Sequence, residues 1–151
     1  RLTQSQVGYS YRAVVSYVDS HGTREVLYTS PSETIDNLDD PVQGEVTIVG
    51  EPKEGVVLRA LSNSLSDEDG IASISISWET SKDGRNWVGL NSLSGPILSL
   101  KQSLVGSQIR ARVAVVDNFG IETNLYSQAT RTVENVNNKP SGRIVIRRVG
   151  Q

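Results

Sequence analysis

The sequence predicts an all-β protein made of immunoglobulin-like (Greek-key) β-sandwich repeats in tandem, with about seven strands per unit. Three observations carry this prediction: an internal repeat, an apolar period of two, and closely spaced turn signals between the apolar runs.

The repeat organises the chain. Residues 2–48 align without gaps on residues 100–146 and are identical at 17 of 47 positions. A ~6% match rate for typical composition would give about three. The identities include Gly8/Gly106, Arg12/Arg110, Ala13/Ala111, Asp19/Asp117, Tyr28/Tyr126 and Gly44/Gly142. A 98-residue period leaves room for one complete unit in 151 residues. Residues 1–36 then form the C-terminal part of a preceding repeat, and 37–41 are a linker. Residues 42–136 are the complete repeat, 137–140 a second linker, and 141–151 the first strand of a following repeat. With neither initiator Met nor signal peptide, the chain reads as an excerpt of something longer, whose missing strands precede Arg1.

The strands follow in order. In the first segment Tyr11, Ala13, Val15 and Tyr17 alternate with Arg12, Val14 and Ser16, an apolar phase on which Tyr9, Tyr11 and Tyr17 are expected to pack in a core rather than to form a binding surface. Within the complete unit, short strands are expected at Val46–Val49, Val56–Leu61, Trp87–Leu90, Ile97–Leu100 and Leu125–Val133. Ile74, Ile76 and Trp78 alternate with serines, which describes a strand with one buried face and makes Trp78 the central core aromatic. Ile109, Ala111, Val113 and Val115 alternate in the same way. Turn signals separate them: Glu54-Gly55, Asp67-Glu68-Asp69-Gly70, Asp83-Gly84, Ser94-Gly95-Pro96 and Asp117-Asn118-Phe119-Gly120. No stretch carries a helical stripe with caps, so no helix longer than about two turns is expected.

Composition excludes several classes. Hydrophobic residues at 36% and charged residues at 21% suit a buried core rather than a disordered chain. No apolar run approaches 18 residues, so no membrane-spanning helix is expected. A net charge of −2 gives no reason to expect a nucleic-acid surface. Zero cysteines exclude disulfides, thiolate metal sites and cysteine catalysis. The one histidine, His21, sits in a predicted loop, where exposure or packing is favoured over catalysis. No nucleophile–base pair or paired catalytic carboxylates stand out, so an enzyme is not expected. Trp87, after the Asp83-Gly84 turn, reads as core or edge packing, with sugar stacking as its alternative.

The segments Gly55–Ala60, Leu65–Ile71, Trp78–Trp87, Leu104–Arg110, Val116–Gly120 and the linker Asn135–Gly142, in this order, resemble tandem immunoglobulin-like or cadherin-like repeats of giant bacterial surface adhesins, of the repeats-in-toxin and biofilm type. The resemblance implies a secreted or cell-surface, non-enzymatic module that extends or displays an adhesive protein and often binds calcium between domains. Its expected partners are neighbouring repeats of the same chain, with cell-surface glycan or protein as further candidates, and neither nucleic acid nor membrane insertion. The alternatives are an assembly subunit of a sheath, filament or surface layer, and a direct glycan- or protein-binding module.

In such a unit the segments Asp36–Pro41, Ser64–Gly70 and Asp117–Glu122 lie at one end. Calcium takes six to eight oxygen ligands, and that end offers Asp39, Asp40, Asp67, Asp69 and Asp117 as its metal candidates, with Asp36 and Asn37 beside them. The alternative is that these Asp-Gly and Asn-rich stretches are turn chemistry. At the second linker Asn137 and Asn138 stand where the first has Asp39 and Asp40, and Lys139 adds positive charge, so if the linker carboxylates are essential only the first junction would hold an ion.

Overall fold

The computed structural model describes residues 1–147, except for the side chain of Ser92. Residues 148–151, the end of the last expected strand, lie outside the described residues. Two strands precede the first linker, β1 (Val14–Val18) and β2 (Arg24–Tyr28), paired antiparallel from Val14↔Tyr28 to Val18↔Arg24. Among the described residues seven follow it: β3 (Thr47–Val49), β4 (Val57–Leu61), β5 (Ile71–Ser81), β6 (Val88–Ser94), β7 (Ile97–Ser99), β8 (Gln108–Asp117) and β9 (Glu122–Tyr126). The only helical elements among the described residues are single 3-10 turns at Gln4–Gln6 and Gln102–Leu104. The chain is all-β.

The seven strands form two antiparallel sheets, β3–β4–β7 and β6–β5–β8–β9, neither closed into a barrel. Period-2 alternation gives each sheet one apolar face. Leu58, Ala60 and Leu98 from the smaller sheet, with Val46 just before β3, join Trp78, Ile109, Ala111 and Val113 from the larger in one core. This arrangement is compatible with a β-sandwich. β8 alternates buried and half-buried residues along its whole length. Trp78 is completely buried, opposite Ala111 on β8, and its indole N–H donates to the Gly95 carbonyl at 2.9 Å. The small alanine leaves room for the indole, and the hydrogen bond meets the one polar need that burial creates.

The sequence repeat is also a structural one. Shifted by 98 residues, the β1–β2 register coincides pair for pair with β8–β9, for example Val15↔Leu27 with Val113↔Leu125. The two 3-10 turns coincide as well. Asp19 accepts from the His21 and Thr23 amides just as Asp117 does from Phe119 and Ile121. Arg12 stacks on Tyr28, and Arg110 on Tyr126.

Three expectations need correction. The expected strand Leu125–Val133 is instead β9, ending at Tyr126. Beyond it the ladder is carried in part by hydroxyls, with Ser127 Oγ accepting from the Ala111 amide and Thr130 Oγ1 from the Ile109 amide. Ile74 lies on the core-facing phase but is 40% exposed. Its outer neighbour β6 reaches along β5 only as far as Ser77, so Ile74 sits at an uncovered sheet edge. Tyr9, Tyr11 and Tyr17, expected in a core, are exposed because no second sheet covers the β1–β2 face. Of the two packing readings for Trp87, the structure takes the edge one: it lies outside the core cluster, half-buried, with the Arg110 guanidinium 4.3 Å from its ring centre.

Candidate metal centre

Three loops converge beside the N-terminal end of the complete unit. Between β4 and β5, Asp67 Oδ1 accepts from the Asp69 amide at 2.8 Å, and the Gly70 amide closes the turn on the Asp67 carbonyl. Gly70 has φ +79°, and a Cβ there would run into the Asn118 side chain, so the turn needs glycine. That turn aims Asp69 inward. Asp117 is the last residue of β8 and falls on its buried phase. Its Oδ1 accepts from the amides of Phe119 at 2.9 Å and Ile121 at 2.7 Å, which shapes the loop to β9. The linker is tied in through the Asp40 amide, which donates to Asp69 Oδ2 at 3.1 Å.

As a result Asp39, Asp69 and Asp117 each place a carboxylate oxygen within 4.8 Å of the others. Asp69 and Asp117 are 4% and 3% exposed, yet Asp69 Oδ1 and Asp117 Oδ2 have no hydrogen-bond partner. An unpaired buried carboxylate oxygen is costly, and adjacent carboxylates resist ionising together. Asp39, exposed at the mouth, registers this. Its carboxyl is pushed above the usual range by loss of solvent and then by the negative charges of Asp117, Asp69, Asp67 and Asp40.

The donor set suits a hard cation. At calcium–oxygen distances of about 2.3–2.6 Å, ligands on opposite sides of one ion are about 4.6–5.2 Å apart, so the 4.8 Å grouping fits a shared ion. Three carboxylates supply part of the shell, and backbone carbonyls and water would have to complete it. Of the five aspartates expected from the sequence, the structure brings three together. Asp40 contributes its backbone amide and Asp67 its turn, and both add negative charge around Asp39. Asn37 is engaged elsewhere, accepting from Gln4 Nε2 at 3.0 Å, and Asp36 is exposed.

The second linker is held by a different device, which the sequence did not suggest. Glu54, in the turn before β4, accepts from the Val136 amide at 3.0 Å and from Asn138 Nδ2 at 3.3 Å. With its amide oriented to satisfy its neighbours, Gln102 also donates to Glu54, at 2.7 and 2.9 Å. On the outer face of the larger sheet, Arg110 lies between Trp87 and Tyr126 and pairs with Glu79 at 2.6 Å. The alternating pattern shows that Arg110 points outward, but nothing local to it shows that Trp87 and Tyr126 flank it. Comparison of the chain with protein-family models, with curated proteins and with solved structures finds no match.

Proposed function

We propose that this chain is a non-enzymatic extender module of a large, repetitive secreted or cell-surface adhesin, with a calcium-stiffened joint at its first linker. The observation that carries the reading is the meeting of a linker carboxylate, Asp39, with two buried, incompletely partnered carboxylates, Asp69 and Asp117. A cation at that point would neutralise the cluster and bind the linker to the unit that follows it.

The strand arrangement supports an immunoglobulin-like unit. Three strands oppose four, with the tryptophan-bearing β5 and its partner β8 at the centre of the larger sheet. The matching register of β1–β2 and β8–β9 supports tandem stacking, in which each unit touches only its neighbours. Strands of up to 11 residues at ~3.3 Å each, plus loops, give on the order of 40 Å per unit, so stiff joints would set how far a terminal binding domain projects. A sugar-stacking role for Trp87 is disfavoured, because Arg110 already covers one face of its ring.

Calorimetric titration and thermal melting of the chain with calcium test the proposal. A dissociation constant of about 10⁻⁴–10⁻³ M suits an extracellular module. At tenfold excess the ion stabilises by about 1.4 kcal/mol. Asp39→Asn with Asp69→Asn should abolish the rise in melting temperature. An unchanged melting temperature near ~10 mM calcium, well above that range, would return these aspartates to turn chemistry.

A further inference from the structure

The N-terminal hairpin presents an apolar face and a strand edge that nothing among the described residues covers. Tyr11, Val15 and Tyr17 are 46%, 53% and 48% exposed. Shifted by 98 residues they fall on Ile109, Val113 and Val115, none more than 1% exposed. The strand register, side-chain hydroxyl bonds and turn geometry of the two segments agree, so the difference lies in what sits opposite them. In the complete unit two things cover this face. The β3–β4–β7 sheet lies across it, and β5 pairs along the edge of β8 from Ile71↔Asp117 to Ser81↔Gln108. The hairpin has neither, since β1 pairs with β2 alone. A two-stranded hairpin with one open apolar face is marginal in water, and its free edge invites another strand.

We propose that this face and edge are the docking surface for a β3-to-β7-like segment of the same polypeptide lying before Arg1, and that the strand seated on β1 carries a large aromatic side chain, tryptophan by the internal analogy, opposite Ala13. Alanine is retained at Ala13 and Ala111 although the positions two before and four after it differ, as Tyr11 for Ile109 and Tyr17 for Val115. In the complete unit that alanine is what Trp78 packs across from. A second copy of the chain is a poorer occupant. Its own β3–β4–β7 sheet is already packed against its own β8, and its β5 edge is already paired. The two tyrosines also ask for smaller neighbours than those surrounding Ile109 and Val115. The other end of the chain shows the same pattern. Ile144 is 95% exposed where its counterpart Val46 is 5% exposed in the core. The inference rests on the internal repeat and not on calcium or adhesion, so either can fail without the other.

Amide exchange measured by NMR tests it, on the 151-residue chain and on the natural polypeptide extended upstream by one period. The Val14 and Ser16 amides point away from β2, because Ala13 exchanges hydrogen bonds with Thr29 on that side. In the 151-residue chain they should exchange near the open-chain rate, and Tyr17 should be nitrated readily. In the extended polypeptide both amides should slow by at least ~100-fold, the factor that a local opening free energy of about 2.7 kcal/mol gives, and Tyr17 should resist nitration. Ala13→Leu should lower the melting of the upstream unit while leaving the complete unit unchanged. Unchanged exchange in the extended polypeptide, an upstream strand lacking an aromatic at that place, or a concentration-dependent dimer of the 151-residue chain that protects Val14 and Ser16 would each overturn the proposal.

Discussion

Replacing Trp78 by alanine removes the largest fully buried side chain in the protein. The indole sits between the sheets opposite Ala111, and its N–H holds the Gly95 carbonyl in the β6–β7 turn. Two losses combine. Truncating a buried tryptophan to alanine costs about 3–5 kcal/mol in transfer and cavity energy. The Gly95 carbonyl also loses its indole donor, and an unsatisfied buried group costs about 1–3 kcal/mol unless water reaches it. Against a total stability of about 5–15 kcal/mol, this change brings the unit close to unfolding. Each kcal/mol lowers the melting temperature of a domain this size by roughly 4–8 °C, so a loss of at least about 12 °C is expected. Trp78→Phe separates the terms, keeping most of the apolar volume and deleting only the hydrogen bond, so its cost should be the smaller. Circular dichroism melts of the three proteins provide the measurement. In a Trp87→Phe background the remaining emission belongs to Trp78 and should be blue-shifted. A Trp78→Ala protein that melts within a few degrees of the parent (under about 1 kcal/mol) would refute the strand phase and the core built on it.

Gly44 has φ +97°, and a Cβ there would overlap the Ser64 backbone carbonyl. Gly44→Ala should therefore cost at least about 1–3 kcal/mol in thermal melting, and a silent substitution would show that this backbone contact yields easily. Asp83 accepts from the Asn86 and Arg85 amides, Asn86 Nδ2 and Ser81 Oγ, which hold its carboxyl well below the usual range. A lowered folded-state pKa means that its stabilisation is present above the usual value of 3.8 and is lost as pH falls below it. Asp83→Asn should accordingly flatten the acid side of the stability–pH curve, and an unchanged acid limb would remove Asp83 from that account. Glu54→Gln weakens the clamp on the second linker, which should cost about 1 kcal/mol and speed exchange at the Val136 amide. Equal exchange in parent and variant would mean that the linker is held by other contacts.

Alternation alone determined the centre of this protein. The Ile109-to-Val115 run reads directly as a strand with one buried face, and the structure buries each of its inward residues. Trp78 was legible as the core aromatic for the same reason, because a period of two assigns a face without knowledge of the partner strand. The exposed tyrosines and Ile74 were not legible. Their phase was read correctly, but burial depends on whether another sheet or strand reaches them, which is a property of distant segments. The aspartates divide along the same line. Turn chemistry announced Asp67 through Gly70 and Asp117 through Gly120 as loops, and topology suggested that they share an end. Only the packed sheets decided that Asp69 and Asp117 would be buried with an unpartnered oxygen each, that Asp39 would join them, and that Asp40 would enter through its backbone. Glu54 and the Arg110 stack belong to that second class, since each contact joins residues from separate strands or loops whose meeting is set by sheet register. Periodicity is local and survives in one dimension, whereas convergence is a sum over every strand pairing between the residues that meet.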